Sequence, residues 1–162
     1  TDYVPAAPDS LRFERAGISK TYAISGSTLG PAIDSMVVTI TWQLNGLAGH
    51  HFSTRLNLAM PSCDGFLGRY MLADGSIPGG FGQPLQLDAA AELRLDDGVL
   101  GGQVKIETSI LAEIHGRPQQ TVSQSEAGFE KIMQAVELTL AWTLPDDACT
   151  LQLQLTIEPS TP

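Results

Sequence analysis

The sequence predicts an all-β domain of about eight or nine strands, built as an antiparallel β-sandwich or, alternatively, as a closed up-and-down β-barrel. Hydrophobic and polar residues alternate with a period of two along most of the chain, which is the pattern of half-buried strands. Turn residues separate these runs. With 162 residues, 43% of them hydrophobic, the chain has the size and composition of one domain with a core.

Six runs alternate strongly and place their large apolar residues on one face. They are Ser35 to Leu44, His50 to Met60, Leu85 to Leu95, Leu100 to Ile114, Val136 to Leu144 and Leu151 to Ile157. Two weaker strands are predicted at Ser10 to Arg15 and Ile18 to Ile24. A sheet with one apolar face must be covered by a second sheet or must close on itself, which leaves the sandwich and the barrel open.

Turn sequences and the parity of the apolar positions predict three hairpins. Asp97-Gly98 suits a two-residue type I′ turn, which places Leu95 opposite Leu100. The other two hairpins use loops 45–49 and 145–150, and place Trp42 opposite Phe52 and Trp142 opposite Leu153.

One segment departs from the alternation. Phe129, Ile132 and Met133 recur at helical spacing, and a capping box can begin at Ser123. We therefore expect one short helix near residues 124–133.

The domain organisation predicted from composition has three parts. A Pro-rich N-terminal arm covers residues 1–9, a single all-β domain covers 10–158, and a tail covers 159–162. The arm can lie over a neighbouring subunit, which would make the chain self-assemble.

The net charge disfavours two classes of partner. Nine basic residues against eighteen acidic ones give a net charge of −9. Nucleic acids and anionic lipid surfaces both require a basic face, so neither is expected as a partner. No run approaches the roughly 20 apolar residues of a membrane-spanning helix, so no membrane span is predicted.

The two cysteines lie beside strand ends. Cys63 follows the strand that ends at Met60, and Cys149 precedes the strand that begins at Leu151. If these strands meet at one end of the domain, the cysteines can form a disulfide that stabilises the fold by roughly 4 kcal/mol. A disulfide indicates an extracellular, periplasmic or cell-surface location; the alternative is two free buried thiols in a cytosolic protein.

Candidate catalytic and metal-binding residues are few. His50 and His51 are adjacent on a strand, so their side chains point to opposite faces and do not readily chelate one ion. The Asp pairs at 96–97 and 146–147 lie in predicted turns, where Asp is favoured because its side chain forms hydrogen bonds with the nearby backbone. No metal site, cofactor or catalytic constellation is predicted, and the sequence favours a protein that is not an enzyme. A small hydrolase using His50, His51 or Asp64 is a third hypothesis.

The connection from Pro61 to Pro84 is rich in apolar and aromatic residues. It offers Phe66, Arg69, Tyr70 and Phe81 as binding residues on a rigid β scaffold. The alternative is a short buried strand, 69–73, flanked by turns. The Gly-rich stretch around Phe81 is not a phosphate loop, since a strand follows it rather than a helix.

The sequence alone favours a non-catalytic, secreted or cell-envelope module that acts through protein–protein contact, in assembly, adhesion or inhibition. The second hypothesis is a β-barrel that binds a small apolar ligand or a carbohydrate. A protein partner or self-assembly is therefore expected, and a small ligand is the alternative.

Overall fold

The computed structural model describes residues 2–7, 9–28, 33–60, 62, 67–125 and 128–159, and every regular element in these ranges is a β-strand. The strands are β1 Asp2–Ala7, β2 Ser10–Arg15, β3 Ile18–Thr28, β4 Ile33–Asn45, β5 His51–Leu58, β6 Gly68–Met71, β7 Gly79–Gly80, β8 Leu85–Asp97, β9 Gly102–Ser125, β10 Gly128–Thr143 and β11 Ala148–Pro159. All pairings are antiparallel, so the predicted all-β antiparallel class is confirmed. These ranges hold no helix, and hence none that could cross a membrane.

The strands form one branched sheet. Its main path runs β1-β2-β3-β4-β11-β9-β8-β6-β7, while β10 joins the path at β9 and pairs with β5 on its other side. The path does not return to itself, so within the described ranges the sheet is not closed into a barrel.

The long strand β9 divides this sheet into two layers, because its two halves pair with different strands. Residues 102–108 pair with β11, whereas residues 113–125 pair with β10. On its opposite edge β9 pairs with β8 in both halves. We call β1 to β4, β11 and the first half of β9 the first layer. The second layer consists of β5, β10, the second half of β9 and the start of β8, which pairs with that half.

The apolar faces of the two layers pack against each other and form the core. The Trp42 ring of β4 lies 6.3 Å from the Trp142 ring of β10, measured between centroids. Trp142 Nε1 donates a hydrogen bond of 3.1 Å to the carbonyl of Ile110, where β9 passes from one layer to the other. This donor is satisfied inside the core, as a buried indole requires.

Two of the three predicted hairpins are wrong. β5 pairs with β10 rather than with β4, and β11 pairs with β4 rather than with β10. The predicted contact between Trp42 and Phe52 is nevertheless present, with ring centroids 5.7 Å apart. Residues of matching parity share a core in either arrangement, so parity cannot distinguish neighbours in one sheet from strands that face each other across the core.

The hairpin of β8 and β9 is confirmed, but its predicted register is wrong. Leu95 lies opposite Val104 rather than Leu100, because the loop after Asp97 has four residues instead of two. Asp97 is fully buried, and its Oδ1 accepts backbone hydrogen bonds from Val99 and Leu100 at 3.0 and 3.1 Å. These bonds stabilise the wider loop, and both registers keep the apolar residues on one face.

The predicted short helix near residues 124–133 is wrong. Apart from residues 126–127, which lie outside the described ranges, this segment belongs to β9 and β10, which pair as a hairpin. A β-bulge places Gln134 as an extra residue in β10. Met133, Ala135 and Val136 are all buried around the bulge, and the step of three from Met133 to Val136 imitates a helical spacing.

Part of the segment predicted as an N-terminal arm is a strand. β1 pairs with β2 and continues the first layer. The division of the chain at residues 9 and 158 stays a prediction.

Candidate functional site

The outer, solvent-facing side of the second layer carries an open groove with a volume of about 840 Å³. Its lining consists of Ser53, Thr54, Arg55, Pro84, Leu85, Gln86, His115, Gly116, Arg117, Glu137 and Thr139. Most of these residues are polar, and they alternate along their strands with the apolar residues that form the core. Thr54, Leu85 and Gly116 are exceptions, since they occupy inward-facing positions.

The strand register places four of these side chains in one row. Gln86, His115, Thr139 and Arg55 lie opposite one another across β8, β9, β10 and β5. Strand spacing makes such a row about 14 Å wide. Longer side chains stand on both sides of the short Thr139, so the face is concave.

Glu137, at the edge of this row, is a buried carboxylate on an outer sheet face, with only 7% of the residue exposed. Arg117, directly opposite on β9, donates to Glu137 Oε1 from Nε at 2.8 Å and lies 2.7 Å away through Nη2. Gln119 Nε2 donates to Oε2 at 2.7 Å, and Arg55 Nη1 lies 3.9 Å from the same oxygen. A buried carboxylate requires such partners. The contacts with Glu137 in turn hold the Arg117 side chain in one position.

This arrangement suits binding better than acid–base chemistry. Both oxygens of Glu137 already accept hydrogen bonds, so the carboxylate anchors Arg117 instead of facing the groove. The other groups that line the groove are hydroxyls, an imidazole, an amide and guanidinium N–H groups. Together they can donate to and accept from a ligand with many hydroxyls.

Tyr70 and Phe81, two of the predicted binding residues, are fully buried in the core. Their rings make an edge-to-face contact with centroids 5.2 Å apart. Tyr70 lies on the short strand β6, and the Phe81 N–H donates to the carbonyl of Gly68 at 3.0 Å. The connection therefore contains the short buried strand that was the alternative, and neither ring is exposed to a partner.

The other residues singled out from the same connection lie in different settings. Arg69 is half-buried and its Nε and Nη2 both lie 3.0 Å from Asp96 Oδ2. Phe66 and Cys63 lie outside the described residues. Cys149 is a free, buried thiol in the structure, which gives the predicted disulfide with Cys63 no support, and the location inferred from that disulfide stays a prediction.

The three histidines do not converge. His115 lies opposite Thr139, whereas His51 lies opposite Thr143, four residues or about 13 Å further along β10. His50 is in the loop before β5. Within the described ranges no three potential metal ligands cluster, and Asp64 lies outside those ranges.

Sequence reasoning did not single out Arg55, Arg117 or Glu137. Each is a polar residue in an alternating run, which is the ordinary appearance of a solvent-facing side of a strand. The available signal was Glu137 itself, since an acidic residue between Val136 and Leu138 is the one charge in an otherwise apolar and small-residue strand from Val136 to Leu144. Its partners became identifiable only with the pairing of β10 to β9 and β5.

The groove is supported from the core by Tyr70. A Cβ on Gly116 would lie 3.0 Å from the Tyr70 hydroxyl and 3.1 Å from both Leu138 Cδ2 and Leu85 Cβ. A larger residue at 116 would displace these neighbours by a few tenths of an ångström, so glycine allows β9 to pack closely on the Tyr70 hydroxyl. The Tyr70 hydroxyl is buried with no hydrogen-bond partner among the described residues.

Comparison with solved structures finds this fold within a larger enzyme. The chain aligns over 98% of its length with the crystal structure of 4-α-glucanotransferase from Thermococcus litoralis, at 20% sequence identity and a TM-score of 0.62, and spans 22% of that enzyme. The Slr1438 protein from Synechocystis aligns with 98% of this chain over 66% of its own, at 11% identity and a TM-score of 0.41, which is too low to support an inference. No curated protein sequence matches the chain.

A family model described as "Alpha-amylase/4-alpha-glucanotransferase, C-terminal" matches residues 6–155. This match shows that the hypothesis of a secreted or cell-envelope module acting through protein–protein contact is wrong, because the family consists of domains of carbohydrate-active enzymes. The chain belongs to the C-terminal domain family of α-amylases and 4-α-glucanotransferases.

Proposed function

We propose that this chain is the non-catalytic C-terminal domain of an enzyme that acts on α-1,4-linked glucans. The observation that carries the proposal is the family match over residues 6–155, which includes both layers of the sandwich. The likeness in fold to a segment of a 4-α-glucanotransferase is consistent with it.

Along β9, the carboxylate nearest to Glu137 on the same sheet face does not form a catalytic pair with it. Glycoside chemistry uses two carboxylates separated by about 5 to 9.5 Å across one bond. On the outer face of the second layer, Glu137 lies opposite Arg117, and the next acidic residue along that face of β9 is Glu113. Four residues of strand separate Arg117 from Glu113, which corresponds to about 13 Å. These two carboxylates are too far apart to act on one glycosidic bond.

The experiment compares two proteins with maltotriose and maltoheptaose as substrates. We expect the complete polypeptide that contains this chain to shorten or redistribute these oligosaccharides, and we expect the 162-residue chain alone to leave them unchanged. Chromatography of the products reports both results. A complete polypeptide inactive on every α-1,4-glucan would refute the substrate class, and turnover by the isolated chain would refute the non-catalytic role.

A further inference from the structure

We propose that the groove on the outer face of the second layer is a glucan-binding subsite, which takes a few glucose units of an α-1,4-linked chain through hydrogen bonds from Arg55, His115 and Arg117. The proposal rests on the proposed function, since the class of enzyme supplies the class of ligand. The groove itself is argued from the geometry below.

The dimensions of the groove fit a piece of a polymer. Its volume of about 840 Å³ lies within the range of about 300 to 1,000 Å³ that is typical of small-molecule sites. Ser53, Arg55, Gln86, His115 and Arg117 are all exposed, so the groove is open rather than enclosed. An open groove allows the rest of a glucan chain to extend beyond it in either direction.

The charge of the groove fits a neutral, polyhydroxylated ligand. Glu137 compensates one arginine fully, since two nitrogens of Arg117 lie within 2.8 Å of its Oε1, and it also attracts Arg55 at 3.9 Å. Two arginines against one carboxylate leave a single net positive charge, which Arg55 carries. The N–H groups that do not face Glu137 can still donate to sugar hydroxyls, and Thr139 and Ser53 provide hydroxyls that donate or accept.

The buried Glu137 also holds the binding groups in place before a ligand arrives. Because it binds Arg117 and Gln119 on the neighbouring strand at 2.7 to 2.8 Å, the long arginine side chain loses little further freedom when a ligand binds. Glu137 is thus a positioning residue, and Arg117 is the contact that it positions.

The affinity should be modest. None of the lining residues is Trp, Tyr or Phe, so the groove lacks the large aromatic ring on which a sugar would stack best. We expect a dissociation constant on the order of 1 mM for maltoheptaose, a value set by hydrogen bonds that replace bonds to water.

The test is a titration of the ¹⁵N-labelled 162-residue chain with maltoheptaose, followed by two-dimensional NMR, with cellohexaose as the linkage control. We expect saturable shifts in the amides around Arg55, His115, Arg117 and Thr139 with maltoheptaose and much smaller shifts with cellohexaose. Saturable shifts elsewhere only, equal shifts with cellohexaose, or binding of inorganic phosphate in the groove without binding of maltoheptaose would each overturn the proposal.

Two substitutions test the contacts while leaving Arg117 and its bonds to Glu137 in place. Arg55→Ala and His115→Ala should each weaken maltoheptaose binding about fivefold to tenfold, as expected for the loss of one hydrogen bond. The matched control is Arg94→Ala, since Arg94 is an arginine of β8 whose Nε donates to Glu92 at 2.8 Å and which does not line the groove. An unchanged affinity in both groove variants would overturn the assignment of these contacts.

The outcome also distinguishes this proposal from the proposed function. If the complete polypeptide acts on maltotriose but the groove shows no shifts, the subsite proposal fails and the proposed function stands. If the complete polypeptide is inactive on α-glucans, the proposed function fails, whatever the groove binds.

Discussion

Arg117 and Glu137 face each other across β9 and β10, and two nitrogens of the guanidinium lie 2.8 and 2.7 Å from a single carboxylate oxygen. The arginine is exposed, whereas the glutamate is buried in the outer face of the second layer. The buried Glu137 requires this interaction for the stability of the fold. The exposed Arg117 presents its remaining N–H donors to the groove, so the same pair serves both stability and the candidate site.

The first prediction concerns this pair. Arg117→Ala should lower the free energy of unfolding by about 2–3 kcal/mol, because it leaves the Glu137 carboxylate buried with only Gln119 and the more distant Arg55 as partners. Urea unfolding followed by circular dichroism measures the change. In the double variant Arg117→Ala/Glu137→Ala, part of the loss should be recovered. A double variant that is no more stable than Arg117→Ala would show that the unpaired carboxylate is not the cause.

The second prediction concerns the glycine beneath the groove. Gly116→Ala should destabilise the fold by about 1–3 kcal/mol, because its Cβ would lie 3.0 to 3.1 Å from atoms of Tyr70, Leu138 and Leu85. Gly26→Ala is the control, since its Cβ meets only the Ser35 carbonyl oxygen at 3.4 Å, an ordinary contact. Thermal unfolding of both variants gives the comparison, and equal transition temperatures would argue against the tight packing.

The third prediction concerns the Tyr70 hydroxyl, whose burial raises the pKa of Tyr70 from 10.0 to about 12. From about pH 10 to pH 12 the unfolded chain has lost a proton that the folded chain retains, so stability falls as the pH rises. The fall should be about 1.4 kcal/mol per pH unit. Urea unfolding at about pH 9 and about pH 11 measures it.

Tyr70→Phe is the variant that isolates this contribution. It removes a buried hydroxyl with no described partner, so we expect it to raise stability at neutral pH by about 1 kcal/mol. The variant should also have a shallower loss of stability between the two alkaline pH values. The same slope in both proteins would assign the alkaline loss to other groups.

The fourth prediction compares two phenylalanines. Phe81→Ala should cost about 3–5 kcal/mol, because Phe81 is fully buried against Tyr70. Phe129→Ala should change stability by less than about 0.5 kcal/mol, because 78% of Phe129 is exposed in the β9–β10 hairpin. Denaturant midpoints of the two variants provide the measurement. Similar midpoints would contradict the placement of one ring inside the core and the other outside it.

The fifth prediction concerns the thiol of Cys149. Burial, followed by the nearby negative charge of Asp146, raises the pKa of the Cys149 thiol, so the reactive thiolate is scarce at neutral pH. We expect Cys149 to react slowly with Ellman's reagent in the folded protein and rapidly after denaturation. Peptide mass spectrometry identifies the labelled cysteine, and rapid labelling in the native state would contradict the burial of this thiol.

The alternation in the sequence was sufficient to predict the class of fold and which residues of β4, β9, β10 and β11 face the core. Side-chain direction in a strand depends only on position along the chain, so this information is local. The β8–β9 hairpin was also predicted correctly, but adjacency in sequence does not guarantee pairing, since β5 pairs with β10 rather than with β4. The register of the β8–β9 hairpin was not predictable, because the loop is widened by the buried side chain of Asp97.

The partners of each strand were decided by the tertiary structure alone. Trp42 contacts both Phe52 and Trp142, and that contact is compatible with pairing in one sheet or with packing between two. The groove depends on this choice, because Arg55, Glu137 and Arg117 come from three strands that become neighbours only when β10 pairs with both β5 and β9. The sequence by itself thus determined an all-β antiparallel fold with an apolar interior, and the choice between sandwich and barrel was made by the strand pairing. Only the long-range pairing of strands decided which polar residues lie together, because the local alternation does not specify which strands form hydrogen bonds with each other.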